Sequence, residues 1–163
     1  MPNDDIQDFA AMSAALTGFQ LEFLKPALDT TNLSQAYFDY ATKATQNEQA
    51  TVQTLLTAYR AISTQPPQQI ADTLLETAGQ FPSPQALLAE SITKLWYTGS
   101  WYPPGSVVMS EVVSSLAYTN GLAWQVMQSH PMGYSPFSFG YWANEPGPLS
   151  QFGVDTGSST GAK

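Results

Sequence analysis

The chain has 163 residues and a mass of 17.7 kDa, the size of one ordinary domain, and its 43 % hydrophobic content suffices for a packed core and argues against global disorder. With no cysteine and one histidine, His130, a disulfide scaffold, a thiolate metal site, a cysteine nucleophile and a His-rich metal site are excluded. Five basic and thirteen acidic residues give a net charge of −8; Lys25, Lys43, Arg60 and Lys94 stand singly, so no basic stripe for a phosphate backbone forms and nucleic acid is not an expected partner.

The spacing of apolar residues predicts a first helix capped at Asp5, with Asp8 three residues on and Ile6, Phe9, Met12 and Leu16 on one face. Thr17-Gly18 is its stop, since glycine tolerates the left-handed conformation beyond a last turn. A short helix is expected around Leu21–Leu28, with Pro26 as a flaw. Another carries Leu33, Ala36, Tyr37, Tyr40 and Ala44, with Asn32 as its cap. Val52, Leu55, Leu56, Tyr59 and Ile62 form one apolar face. Pro66-Pro67 resets the chain before a helix through Ile70, Leu74 and Leu75 that ends near Gly79. Ser83-Pro84 starts a helix through Leu88, Ile92, Leu95 and Trp96, closed by Gly99. Ser110-Glu111 is expected to open a last long helix with Val112, Val113, Leu116, Ala123, Trp124 and Met127 on one side, flawed at Asn120-Gly121.

From His130 onward Pro131, Pro136, Pro146 and Pro148, with Gly133, Gly140, Gly147 and Gly153, oppose a long helix or a central strand. The expected fold class is all-α: an irregular bundle of about six helices with negligible sheet, followed by an extended, aromatic, Pro/Gly-rich C-terminal arm. One domain covers 1–163, with a helical body over 1–128, a partner-wrapping arm over 129–155 and a flexible tail over 156–163.

Few constellations carry chemistry. Asp4, Asp5 and Asp8 read as charge complementing a helix N-terminus rather than as a cation site. Glu76, Glu90 and Glu111 are single helix-surface carboxylates, and nothing pairs two of them for acid/base work. There is no GxSxG, GxGxxG after a strand, or HExxH. Ser129-His130 lacks a third orienting group, and the proline that follows makes a turn. No catalytic, cofactor-binding or metal-binding residue is assigned. Asn32-Leu33-Ser34 fits the glycosylation sequon.

The informative feature is the ring-rich C-terminal part. All four Trp, five of the eight Tyr and three of the eight Phe lie between Leu95 and Phe152, a stretch without Lys or Arg. Leu95-Trp96-Tyr97-Thr98-Gly99-Ser100-Trp101-Tyr102-Pro103-Pro104 sets four large rings around a helix end. Rings of ~150–250 Å² each are many for one small helical core, and Trp and Tyr are enriched at protein contact centres where Lys, Glu and Asp are depleted. Trp96, Tyr97, Trp101, Tyr102, Tyr118, Trp124, Tyr134, Phe139, Tyr141 and Trp142 are therefore the expected partner-interface residues. The rival reading is a stand-alone secreted carbohydrate-binding helical module whose exposed Trp and Tyr stack on sugar faces.

The chain resembles the small subunit of bacterial membrane-bound FAD-dependent sugar and polyol dehydrogenase complexes of the sorbitol, fructose and glucose dehydrogenase type. The resemblance runs through most of the chain. It rests on Phe9-Ala10-Ala11-Met12-Ser13-Ala14-Ala15-Leu16-Thr17-Gly18, on Leu95 to Tyr102, on Ser110-Glu111 to Ala117-Tyr118-Thr119-Asn120-Gly121-Leu122-Ala123-Trp124, and on Ser129-His130-Pro131 to Phe139-Gly140-Tyr141-Trp142-Ala143-Asn144-Glu145-Pro146. It implies a chain that is no enzyme on its own and holds no cofactor. Its partners would be a large FAD-containing subunit that oxidises the sugar and a cytochrome c subunit with haem c. It also implies an escort role in folding and twin-arginine export of the large subunit, and a periplasmic location attached to the inner membrane through the complex. Some relatives carry a tail cysteine that bonds to the large subunit; this chain has none, so its association is expected to be non-covalent. No apolar run is long enough to span a membrane, and no basic, apolar leader stands at the N-terminus; composition leaves a cytosolic protein or the mature form of an exported one, and the resemblance implies a mature or recombinant form.

Overall fold

A computed structural model describes residues 2–76, 79, 81–109, 111–129, 131 and 150. Its first helix, α1 (Pro2–Thr17), is the strut of the fold. Phe9, Met12 and Leu16, spaced three and four apart, are buried along one side. The strut packs against α2 (Leu21–Leu24), α3 (Leu33–Ala44), α4 (Val52–Ile62), α5 (Pro67–Leu74) and α6 (Pro84–Thr98). Asp5 is not the cap predicted for α1. The helix begins three residues earlier, and Asp5 and Asp8 sit inside it, where Arg60 of α4 bonds both, at 2.5 and 2.6 Å. Gly18, with φ +77°, ends the helix as expected.

Two further starts differ from the sequence reading. The helix expected over Leu21–Leu28 is one turn long, because a residue before proline disfavours the helical region and Pro26 follows Lys25. Asn32 stands at the cap position of α3 in a left-handed conformation and its side chain caps nothing. Asp29 takes over this turn: its carboxylate accepts from the Thr31 N–H, the Thr31 hydroxyl and the Asn32 N–H at 3.0, 2.8 and 2.7 Å.

The middle of the chain follows its periodicity. Thr51 and Thr54 form a capping box at α4, and Val52, Leu55, Leu56 and Tyr59 are buried in a row. The helix α5 stops at Leu74 rather than near Gly79, since Glu76 turns to φ +50°. The Glu76 carboxylate accepts the Ser83 N–H at 2.8 Å, and this bond holds its pKa below the usual value. Ser83 then caps α6, accepting from the Ala86 N–H at 3.2 Å, with Pro84 at the first helical position. Leu88, Ile92, Leu95 and Trp96 are buried as predicted, and Gly99 at φ +67° closes the helix.

Beyond Gly99 the structure departs most from the sequence reading. Glu111 does not open a helix: β2 (Glu111–Val112) pairs antiparallel with β1 (Ser100–Trp101), Ser100 opposite Val112 and Trp101 opposite Glu111. The β-branched Val112 and Val113 suit this pairing, and the Val113 N–H donates to the Gly99 carbonyl at 3.0 Å. Helix formation is delayed to Ser114, whose hydroxyl accepts from the Ala117 N–H and starts α7 (Ser115–Thr119). The turn at Asn120-Gly121 leads into a separate α8 (Leu122–Val126). Gly121 is obligatory there, because a Cβ would come within 2.8 Å of the Tyr97 carbonyl oxygen of α6.

The described chain is mostly helical, with one two-stranded sheet, so it belongs to the all-α class. The core lies between α1, α3, α4 and α6, around Phe9, Tyr37, Leu55, Leu56, Leu88, Ile92 and Leu95. Among the described residues no helix is long and apolar enough to cross a membrane. Of the predicted arm over 129–155 only Ser129, Pro131 and Ser150 are described, and the predicted tail over 156–163 lies outside the described residues.

Candidate protein-interaction site

The six described rings of the expected interface fall into two groups. Trp96 and Trp101 are 3 % and 4 % exposed in this chain alone, which corrects their assignment as anchors against a partner: their surface is spent on the chain's own core. Trp96 stands edge-on to the buried Tyr37, centroids 4.8 Å apart at 86°. Trp101, on β1, is tilted against Tyr40 of α3 at 5.7 Å. Alternation along the strand cannot turn Trp101 outward, because Ser100 before it is buried as well.

Tyr97, Tyr102, Tyr118 and Trp124 are half-buried. Tyr97 reaches from the end of α6 to the end of α1, where its hydroxyl donates to the Thr17 carbonyl at 2.9 Å, and burial pushes its pKa up. Tyr102 lies beneath Lys94, whose ammonium is 5.8 Å from the ring centroid. Tyr118 and Trp124 meet edge to face at 5.5 Å, and the Trp124 indole N–H donates to the Tyr118 carbonyl at 2.8 Å. These four rings retain exposed edges, but each is tied to this chain. Tyr134, Phe139, Tyr141 and Trp142 lie outside the described residues.

Exposed apolar surface appears instead at residues the sequence reading passed over or placed inside a helix. Val107 is 87 % and Val108 71 % exposed, and Met109, Val112 and Leu116 are exposed too. They occupy the loop between β1 and β2, β2 itself and the first turn of α7, which packs on β2. Hydrogen bonds shape the loop around Ser106. The Ser106 N–H donates to the Pro103 carbonyl at 2.8 Å, and the Ser106 hydroxyl accepts from the Val108 N–H at 3.0 Å. Lys94, paired with Glu90 at 2.7 Å, reaches the Ser106 carbonyl at 3.5 Å. The available signal was three apolar residues directly after a Pro-Pro-Gly-Ser turn, where polar residues are the rule.

The electrostatics of this region are equally uneven. Residues up to Lys94 carry ten acidic and four basic side chains, whereas Glu111 is the sole formal charge from Leu95 to Ser129. Glu111 is exposed on β2, and its carboxylate accepts the Tyr40 hydroxyl of α3. Among the described residues no three His, Asp or Glu side chains are placed to hold a metal ion. Chemically, a surface of this kind offers apolar contact with one carboxylate for orientation.

No family model, curated protein or solved structure matches the chain.

Proposed function

We propose that this chain is a non-catalytic small subunit of an FAD-dependent sugar or polyol dehydrogenase complex, which stabilises and escorts the large flavoprotein subunit. The observation that carries the reading is the exposed apolar run from Val107 to Leu116 within a stretch whose one formal charge is Glu111. Solvent-exposed valines, a methionine and a leucine clustered in ten residues suit a surface made to be covered. The resemblance of Leu95 to Tyr102 and of the α7–α8 region to such small subunits supplies the identity of the partner. In this reading the flavin and the sugar chemistry reside in the large subunit, haem c in a cytochrome subunit, and the complex works at the periplasmic face of the inner membrane.

A stand-alone sugar-binding module draws less support, because Trp96 and Trp101 are buried and so cannot line an open groove. The test is expression of an FAD-dependent sugar or polyol dehydrogenase large subunit from the same genome, with and without this chain. The reading expects soluble, flavin-loaded dehydrogenase only when both are made. Equal yield and activity in its absence would refute it.

A further inference from the structure

We infer that residues 100–129, from β1 through α8, form a clasp that opens from the helical body as one cooperative unit, with Gly99 as its hinge and the Tyr37 and Tyr40 hydroxyls among its fasteners. The clasp is a property of this chain alone, independent of any partner. No element of it is stable by itself: β1 and β2 have two residues each, and α7 and α8 five each. Isolated helices shorter than about 12 residues and lone strand pairs are marginal at best in water, so these elements exist because they are docked. Among the described residues the buried hydrophobic side chains of the clasp are Trp101, Ala117 and Leu122. All three elements that carry them rest on α3 and α6. Trp101 lies against Tyr40, the Ala117 carbonyl meets Tyr37, and α8 packs on α6. Losing one of these seats removes the support of the others, which makes the opening cooperative.

The connections point the same way. Among the described residues each backbone hydrogen bond of the clasp stays inside it, except the one from the Val113 N–H to the Gly99 carbonyl, at the hinge itself. Gly99, left-handed at φ +67°, separates α6 from β1. What crosses to the body is carried by side chains. Tyr37 and Tyr40, three residues apart on α3, donate to the Ala117 carbonyl at 3.4 Å and to the Glu111 carboxylate, and Lys94 of α6 reaches the Ser106 carbonyl at 3.5 Å. These bonds can break without unwinding a helix of the body. That body keeps α1, α3, α4 and α6, of 11 to 16 residues, around Phe9, Met12, Leu55, Leu56, Leu88 and Ile92, all fully buried. Opening uncovers Trp101, Ala117 and the α3 face that carries Tyr37.

Amide hydrogen exchange of the full chain, followed residue by residue through sub-denaturing urea, is the test. The Val113, Tyr118 and Trp124 amides, each hydrogen-bonded, are expected to share one protection factor, at least about tenfold below those of Leu55 in α4 and Ile92 in α6. Val52→Ala truncates a fully buried side chain of α4, whose packing survives in the open form. It is expected to lower the protection of Leu55 and Ile92 by about tenfold and to leave the three clasp amides unchanged. Tyr40→Phe removes a fastener that is lost both on opening and on global unfolding, so it is expected to lower the protection of all five amides by one factor, about fivefold. Clasp amides as protected as Leu55 and Ile92, or clasp amides that follow Val52→Ala, would overturn the opening. Three different protection factors in the clasp would mean fraying element by element and overturn the single unit. Unchanged protection in Tyr40→Phe would overturn that hydroxyl as a fastener.

Discussion

A Cβ atom on Gly99 would overlap the carbonyl group of Ala117. This contact seats the end of α6 directly on α7. Gly99 is thus required twice, for its φ of +67° and for the space it leaves. Gly18 shares the positive φ but has open space around its absent Cβ. Gly18→Ala is therefore expected to cost only the backbone term of ~1–2 kcal/mol, and Gly99→Ala more than ~3 kcal/mol, among the larger single-site effects. Urea unfolding of the two variants decides it; equal losses would show that the close approach is not real.

The rings Trp96 and Trp101 at the α6 terminus belong to the core, whereas Val107 is exposed. Trp101→Ala is expected to destabilise the isolated chain by ~3–5 kcal/mol, the range for a buried aromatic, whereas Val107→Asp leaves its melting temperature unchanged. Thermal melts of both single variants check the assignment. A stable Trp101→Ala chain would return that ring to the partner interface.

This division was only partly legible in the sequence. The cap at Ser83, the stops at Gly18 and Gly99 and the buried row from Val52 to Tyr59 follow from local chemistry, and the structure realises them. Local rules failed where distant groups compete. Asp5 has a good capping side chain but is drawn to Arg60, 55 residues away. The Val112 backbone pairs with β1 because Gly99 turns the chain back, so residues at helical spacing were placed on one helix that does not exist. The ring count around Trp101 singled out the region after α6, yet ring identity alone cannot tell a core ring from an exposed one. What distinguishes them is tertiary: Trp101 has Tyr40 against it, and Val107 projects into solvent.

The Arg60 contacts make stability depend on acid pH. Hydrogen bonds from Arg60, then from Gln53, hold the Asp5 carboxyl below its usual pKa. A pKa depressed in the folded state contributes stability above the unfolded value and loses it as pH falls through the folded one. Arg60→Met should lower the melting temperature at pH 7 and leave it near that of the unaltered chain below the carboxylate range. Because the pair is solvent-exposed, high salt should narrow the difference. An equal deficit at both pH values would remove Asp5 from the account.

Alkaline pH reports on the core instead. Burial raises the pKa of Tyr37, and burial also raises those of Tyr59 and Tyr97. A phenol whose pKa is raised on folding contributes stability below the unfolded value, near 10, and loses it as pH climbs further. The tyrosinate absorbance of these three phenols should therefore appear only above that value, together with unfolding. A single early transition with all phenols ionised in a folded chain would contradict the buried placement of Tyr37.

In the function proposed above, a larger flavoprotein holds this chain through exposed apolar residues that include Val107 and Val108. Light scattering coupled to size exclusion, on the co-expressed pair, tests it most directly. The account predicts one peak that contains both chains, absorbs as a flavin, and splits into separate species when Val107 and Val108 are both replaced by Asp. A peak of about 17.7 kDa for this chain, apart from a flavoprotein that is intact and active alone, would contradict it.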